Sequence, residues 1–219
     1  GEFVYDQLTP RDLGVVIGER FLLSNMASAS RRYEAAGIFR YLKGENNHEP
    51  GILIPDHPTQ LMEGGDILLD GDRMYVGISR RTNQAGIEYL KASFGGEFEV
   101  TEVPLKSLQE GEDVLHLDCM FNVIGKRLAL IYPEGFQKIP SQIFNRYGLI
   151  SVSREEQRAL AVNVLSVSRD TVITRNHPDC RRVNQVMREK GLRVIEIDFD
   201  AAPSTGGSVR CCSLPLYRG

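Results

Sequence analysis

Four times along this chain two short apolar runs flank a polar turn, the pattern of a β-hairpin. Val15-Val16-Ile17 and Phe21-Leu22-Leu23 flank Gly18-Glu19-Arg20, and Ile67-Leu68-Leu69 and Met74-Tyr75-Val76 flank Asp70-Gly71-Asp72. Asn122-Val123-Ile124 and Leu128-Ala129-Leu130 flank Gly125-Lys126. Val164-Leu165-Ser166-Val167 and Thr171-Val172-Ile173 flank Ser168-Arg169-Asp170. The turn centres at 18, 71, 125 and 169 are 53, 54 and 44 residues apart, which reads as a repeat. Each hairpin leads into a helical pattern, over Ser30–Phe39, Asn83–Phe94, Ser141–Tyr147 and Arg181–Lys190, the last stopped by Gly191. A third β run follows each helix, at Gly51–Ile54, Phe98–Val103, Leu149–Val152 and Arg193–Phe199. The unit is ββαβ in an α/β fold, and units of this kind bury their open faces only by stacking on one another, which predicts a ring or a solenoid.

In a ring, the residues that lead into each first hairpin strand gather at one mouth. Those segments carry Asp12, then Glu63 and Asp66, then His116 and Asp118, then Asn163. A fifth equivalent segment is "GGSVRCCSLPL", with Cys211 at the same level and Leu214–Leu216 as its expected strand. Singly each of these residues has an ordinary structural reading: a turn for Glu63-Gly64-Gly65-Asp66, a hydrogen-bonded His116, a loop-capping Asp118. Their recurrence at equivalent positions shifts the balance toward a shared site.

Composition narrows what that site can serve. At 219 residues, one domain spanning 1–219 is the simplest organisation. The 26 basic and 29 acidic residues are mixed along the chain and sum to a net charge of -3, leaving no basic stripe for nucleic acid or an anionic membrane. No apolar run reaches the roughly 18 residues of a membrane span. Four cysteines are too few for a disulfide scaffold and suit a reducing, cytoplasmic compartment. Small molecules are the expected partners; a homo-oligomer stays open.

A cysteine attacks as thiolate, and a histidine within reach moves protons for a leaving group; Cys211 and His116 fit those roles. Carboxylates around a thiol raise its pKa unless a cationic substrate offsets them. A guanidinium is such a cation and offers planar N–H forks to paired carboxylates, with Asp12, Glu63, Asp66 and Asp118 as candidate acceptors. Zinc is disfavoured, because neither His177-Pro178-Asp179-Cys180 nor Cys211-Cys212 has paired C-x-x-C spacing. No phosphate-binding loop occurs, and no cofactor is expected.

The segments "PRDLGVVIG", "ASRRYE", "EGGDILL", "SRRTNQAGIEYL", "LHLDCMFNVIG", "NVLSV" and "GGSVRCCSLPL" together resemble the guanidino-group-modifying enzymes. That family holds arginine deiminases, arginine dihydrolases, dimethylarginine dimethylaminohydrolases and glycine amidinotransferases. The resemblance implies a five-bladed pseudosymmetric β/α propeller, here with its fifth blade incomplete because few residues precede "PRD". It implies Cys211 as nucleophile through a thiouronium intermediate, His116 as proton donor, and Glu63 and Asp118, with Asp12 or Asp66, as guanidinium acceptors. Arg31 and Arg81 match arginines that bind a substrate carboxylate, and Asn163 joins the substrate-binding set. "HLD" at His116–Asp118 looks like the deiminase and amidinotransferase pattern, and Cys-Cys-Ser at 211–213 like dimethylarginine hydrolases. Hydrolysis of free L-arginine is the favoured expectation, to citrulline and ammonia or to ornithine, carbon dioxide and ammonia. Amidino transfer, dimethylarginine hydrolysis and a non-catalytic fragment are the alternatives.

Overall fold

The computed structural model describes residues 8–44 and 51–216. In the first repeat, β1 (Gly14–Ile17) and β2 (Arg20–Leu23) form an antiparallel hairpin, α1 (Glu34–Gly44) crosses over, and β3 (Gly51–Leu53) returns parallel to β2. The second repeat has the same grammar in β4 (Ile67–Asp70), β5 (Arg73–Ile78), α2 (Gln84–Phe94) and β6 (Glu99–Pro104). The third runs through β7 (Phe121–Val123), β8 (Leu128–Ile131), α3 (Ser141–Arg146) and β9 (Gly148–Ser151). After a short α4 (Arg154–Arg158), the fourth comprises β10 (Leu165–Ser166), β11 (Thr171–Arg175), α5 (Arg181–Glu189) and β12 (Arg193–Ile197). The result is an α/β fold with four mixed sheets of three strands among the described residues, each ordered first, second, third.

Local chemistry accounts for this grammar. The first two hairpins close through two-residue loops that begin at Gly18 (φ 59°) and Gly71 (φ 60°), a left-handed conformation that glycine adopts without a Cβ penalty. A parallel third strand cannot follow through a tight turn, so each repeat spends a helix or a long crossover on the return. In α2 the Asn83 side chain accepts the Gly86 N–H at 3.0 Å, and Ile87, Leu90 and Phe94 are fully buried, each contributing about 2 kcal/mol of apolar burial. Gly191, at φ 89°, lies just past α5 as expected.

The core links neighbouring repeats. Val15, Ile17 and Leu22 pack with Met62, Ile67, Met74 and the apolar face of α2. Tyr75, Phe121 and Tyr147 meet edge to face, with ring centroids 5.6 to 6.0 Å apart, and join the second sheet to the third.

Two expectations need correction, and one helix was not anticipated. The first helical pattern begins as a 3-10 turn at Ala29–Arg31, and the α-helix starts only at Glu34. α4 has no counterpart in the sequence reading: five residues are too few for an apolar period, and its signal is instead the capping box in which Ser153 and Glu156 bond each other's backbone N–H. Leu214–Leu216 form no strand. Leu214 and Leu216 pack against Val16, Phe21 and Leu23 through side chains alone, and Pro215 between them has no N–H to give a ladder.

Candidate active site

The polar residues of the repeats are presented by one recurring backbone device. In each repeat an i+3 N–H bonds back to the carbonyl of residue i just before the first strand: Asp12 to Thr9 (3.3 Å), Asp66 to Glu63 (3.0 Å), Cys119 to His116 (3.3 Å) and Asn163 to Leu160 (3.0 Å). Each turn thereby holds residues i and i+3 close together at the entrance to its first strand. The segment Ser208–Cys211 is bonded differently: the Cys212 N–H returns to the Ser208 carbonyl at 3.0 Å, and the Cys211 N–H is donated to Asn163 Oδ1 at 3.1 Å.

Contacts between the turns run in cyclic order. A Cβ on Gly64 would lie 2.3 Å from the Arg11 carbonyl oxygen, so the first two turns touch backbone to backbone. The Leu117 N–H donates to Asp66 Oδ1 (2.9 Å), Asn163 Nδ2 donates to the Asp118 carbonyl (3.4 Å), and the Arg11 N–H donates to the Cys211 carbonyl (3.1 Å). The chain's last described turn thereby closes on its first.

His116 sits at the acidic side of this ring, fully buried. Its Nε2 is 2.8 Å from Glu63 Oε2, and its Nδ1 is 3.5 Å from Asp12 Oδ1. Burial works against the charged ring, but Asp12, Glu63 and Asp66 outweigh it and raise the pKa to about 10, so the imidazolium holds two protons at neutral pH. Glu63 is penalised by burial, yet His116, Arg81 and the Ala27 N–H bring its pKa below the usual carboxylate value. Gly65 makes this packing possible, since a Cβ there would stand 2.8 Å from both Asp12 Oδ1 and His116 Cγ. His116 Nδ1 and Asp12 Oδ1 are both buried without a hydrogen-bond partner, a donor and an acceptor facing the same space.

Asp66 plays a different part. Its Oδ2 accepts the Ser79 hydroxyl (2.7 Å) and its Oδ1 the Leu117 N–H, and burial raises its pKa to about 6. Both oxygens therefore tie repeats together.

Cys211 lies at the other side of the ring, 3% exposed, with Cys119 beside it. The two sulfurs and an Asp118 carboxylate oxygen all lie within 4.8 Å of one another. Cys119 was missed by sequence reasoning, although its spacing of three from His116, like that of Asp66 from Glu63, marks the position. Its thiol is held well above the usual range by hydrogen bonding to Cys211, by burial and by Asp118, so it stays protonated. Asp118, one residue off the presenting positions, is shared between two neighbours: its Oδ1 accepts the Cys119 thiol at 3.6 Å and its Oδ2 accepts Arg210 Nε at 3.2 Å, and both Asp118 and Arg210 are buried. Burial raises the Asp118 pKa and Arg210 partly offsets it.

The two sequence-matched arginines separate in role. Arg31 is buried and fully engaged: Nη1 meets Asp12 Oδ2 at 2.7 Å, Nε and Nη2 fork onto Glu34 at 3.0 Å each, and Nη2 also reaches Thr9. Arg81 is partly exposed, and among the described residues its guanidinium makes one long contact, 3.5 Å, to Glu63 Oε1. A cavity of about 360 Å³ is lined by Asp12, Arg31, Arg81, His116, Cys119 and Cys211 among others, while Glu63, Asp66, Asp118 and Asn163 stand behind them. Two cavities of about 580 Å³ elsewhere contain neither histidine nor cysteine.

The donor sets Asp12/Glu63/His116 and Asp118/Cys119/Cys211 are compact enough to raise the question of a metal. In this structure Arg31 bonds Asp12, Arg210 bonds Asp118 and His116 lies between Asp12 and Glu63, so a metal ion at either set would have to displace ion pairs already made. Cys180 is apart from the site, its thiol directed to the Ala159 carbonyl.

Comparison with known proteins fits this geometry. The family model described as N,N dimethylarginine dimethylhydrolase, eukaryotic, matches residues 3–218. Uncharacterized protein YkgA of Bacillus subtilis (strain 168) is 40% identical over 215 residues, covering 98% of this chain and 71% of that protein. An arginine deiminase of Listeria innocua serovar 6a is 26% identical, covering 95% of this chain; the chain spans 60% of that enzyme's length. Among solved structures, SxtG, an amidinotransferase from Microseira wollei in the saxitoxin pathway, superposes with a TM-score of 0.84 at 19% identity, covering 96% of this chain and 70% of that one. A mutant of DDAH from Pseudomonas aeruginosa complexed with citrulline superposes at 0.79 with 24% identity, covering 95% and 78%. By the family match over nearly its whole length, the chain belongs to the N,N dimethylarginine dimethylhydrolase family, within the superfamily of guanidino-group-modifying enzymes.

Proposed function

We propose that this protein hydrolyses the guanidinium C–N bond of L-arginine through a covalent thiouronium on Cys211. The observation that carries the reading is the unfilled pair His116 Nδ1 and Asp12 Oδ1 in the cavity that also holds the Cys211 thiol and Arg81. A guanidinium N–H supplies the donor that Asp12 Oδ1 lacks, and Arg81, on the wall of the same cavity, is the candidate for the α-carboxylate. Arg31 acts one step back, fixing Asp12.

Cys211 attacks the guanidinium carbon as thiolate, giving a tetrahedral adduct. His116, protonated in the resting site, gives its proton to the departing nitrogen, which leaves as ammonia, and the planar thiouronium remains. The neutral imidazole then takes a proton from water, whose oxygen adds to the carbon, and the C–S bond breaks to regenerate Cys211. One round gives citrulline; a second on the ureido carbon gives ornithine, carbon dioxide and a second ammonia. In this reading the four sheets are four blades of a five-bladed propeller, with Ser208–Cys211 at the fifth position, and the free thiols suit the cytoplasm.

The family model favours a second reading, hydrolysis of dimethylarginine, in which dimethylamine leaves in place of ammonia. Incubation with each substrate, reading ammonia, dimethylamine, citrulline and ornithine, separates the two; added glycine and a search for guanidinoacetate tests transfer. Cys211→Ser is expected to abolish turnover, and turnover equal to the parent protein would sink the mechanism.

A further inference from the structure

Four cysteines occur in the chain, and two of them, far apart in sequence, meet inside the cavity. The Cys119 and Cys211 sulfurs lie within 4.8 Å of each other. Asn163 holds both in place: its Nδ2 lies 3.7 Å from Cys119 Sγ, and its Oδ1 accepts the Cys211 N–H at 3.1 Å. The turns that bear the two thiols are thus fastened to the same side chain, the Cys119 N–H bonding back to the His116 carbonyl and the Cys211 N–H reaching across to Asn163. The alternatives are less suited. Cys212 is adjacent to Cys211, where a disulfide closes only a strained ring, and Cys180 faces the Ala159 carbonyl.

We propose that Cys119 is a resolving thiol for Cys211, and that the cavity is a site of reversible oxidation to a Cys119–Cys211 disulfide by hydroperoxides. Cys211 thiolate attacks one oxygen of hydrogen peroxide, the O–O bond breaks, water is released after protonation, and sulfur is oxidised to the sulfenic acid. The Cys119 sulfur then attacks that sulfur, the S–O bond breaks, hydroxide leaves with the Cys119 proton as a second water, and the disulfide forms. The disulfide blocks the nucleophile but spares it from sulfinic acid, and a dithiol restores it.

The inference does not depend on which guanidino compound is turned over, and its test reads thiols, not products. Protein exposed to graded hydrogen peroxide is denatured, alkylated without reductant and mapped by mass spectrometry. Free thiols are expected to fall from four to two, with a Cys119–Cys211 cross-linked peptide lighter by two hydrogens and reversed by dithiothreitol. In Cys119→Ser and Cys119→Ala, Cys211 is expected to proceed to sulfinic acid at the same exposure, with circular dichroism checking the fold. Cys211 sulfinic acid in the parent protein with Cys119 still alkylatable, or a Cys211–Cys212 product, would overturn the proposal.

Discussion

Replacing Glu63 by Gln removes one carboxylate from His116 while keeping the shape of the side chain. The His116 pKa of about 10, against an ordinary 6.5, reflects burial that disfavours the imidazolium, overcome by Asp12, Glu63 and Asp66. A shift of that size corresponds to about 5 kcal/mol in favour of the charged ring. Three carboxylates share the work, and Glu63 is the one hydrogen-bonded to Nε2, at 2.8 Å. Its removal is therefore expected to lower the His116 pKa by about 1 to 2 units, or ~1.4 to 3 kcal/mol. Long-range proton–nitrogen NMR on histidine-labelled protein measures this directly, with His116→Gln assigning the resonance among the four histidines. The same change has a stability signature. Because the folded pKa of His116 lies above its unfolded value, its contribution is fully present below about pH 6.5 and is lost as pH rises to about 10. Asp66 works in the same sense: burial raises its pKa from 3.8 to about 6, so its cost is absent below the lower value and complete above the upper. Urea stability of the parent protein should fall between pH 7 and 10, and Glu63→Gln should flatten that fall. A His116 pKa that stays near 10 in the variant, or a parent stability curve level across that range, would refute the coupling.

Two further substitutions probe how the site is held. Arg31→Ala strands the buried Asp12 and Glu34 carboxylates and is expected to cost about 3 to 5 kcal/mol, a Tm lower by roughly 10 °C in calorimetry; an unchanged Tm would show that the buried pairs do no net work. Gly65→Ala places a Cβ 2.8 Å from Asp12 Oδ1 and His116 Cγ, whereas Gly64→Ala drives one to 2.3 and 2.5 Å from the Arg11 and Gly14 carbonyl oxygens. The first should lower turnover at least tenfold with the smaller loss of Tm, and the second should act mainly on Tm; equal Tm losses with full activity in Gly65→Ala would contradict the placement.

The repeat was legible in the sequence because hairpins announce themselves locally: apolar runs interrupted by Gly18 and Gly71 need no long-range information. Helix and strand limits moved by one to a few residues, and the larger departures have specific causes. α4 is built on a capping box, not an apolar stripe, and the Leu214–Leu216 run packs by side chains around a proline. The site was legible as a set of segments but not as a set of atoms. The sequence reading gave Asp66 and Asp118 the same part as Glu63 and Asp12. The fold assigns both oxygens of Asp66 to Ser79 and Leu117, and divides those of Asp118 between Cys119 and Arg210. Arg31 and Arg81, alike as charges in the sequence, differ by burial: three residues claim the first, one distant carboxylate the second.

The i+3 turn explains both the success and the misses. One hydrogen-bonding pattern, repeated, pairs Thr9 with Asp12, Glu63 with Asp66, His116 with Cys119 and Leu160 with Asn163, so the character of the site is set by which side chains occupy those positions. The acidic slots fall in the first two turns, the thiols at 119 and 211, and His116 between them, with its charge stabilised from the acidic side. On the proposed function, a cationic ligand that enters such a ring would meet acceptors on one flank and the Cys211 sulfur on the other, with the protonated His116 between them. That arrangement would depend on the pairing of Asp118 with Arg210, since an unpaired carboxylate within 4.8 Å of both sulfurs would oppose a thiolate at Cys211. On the same reading Arg210 would serve Cys211 through the charge it cancels, from its place directly before Cys211 in the chain.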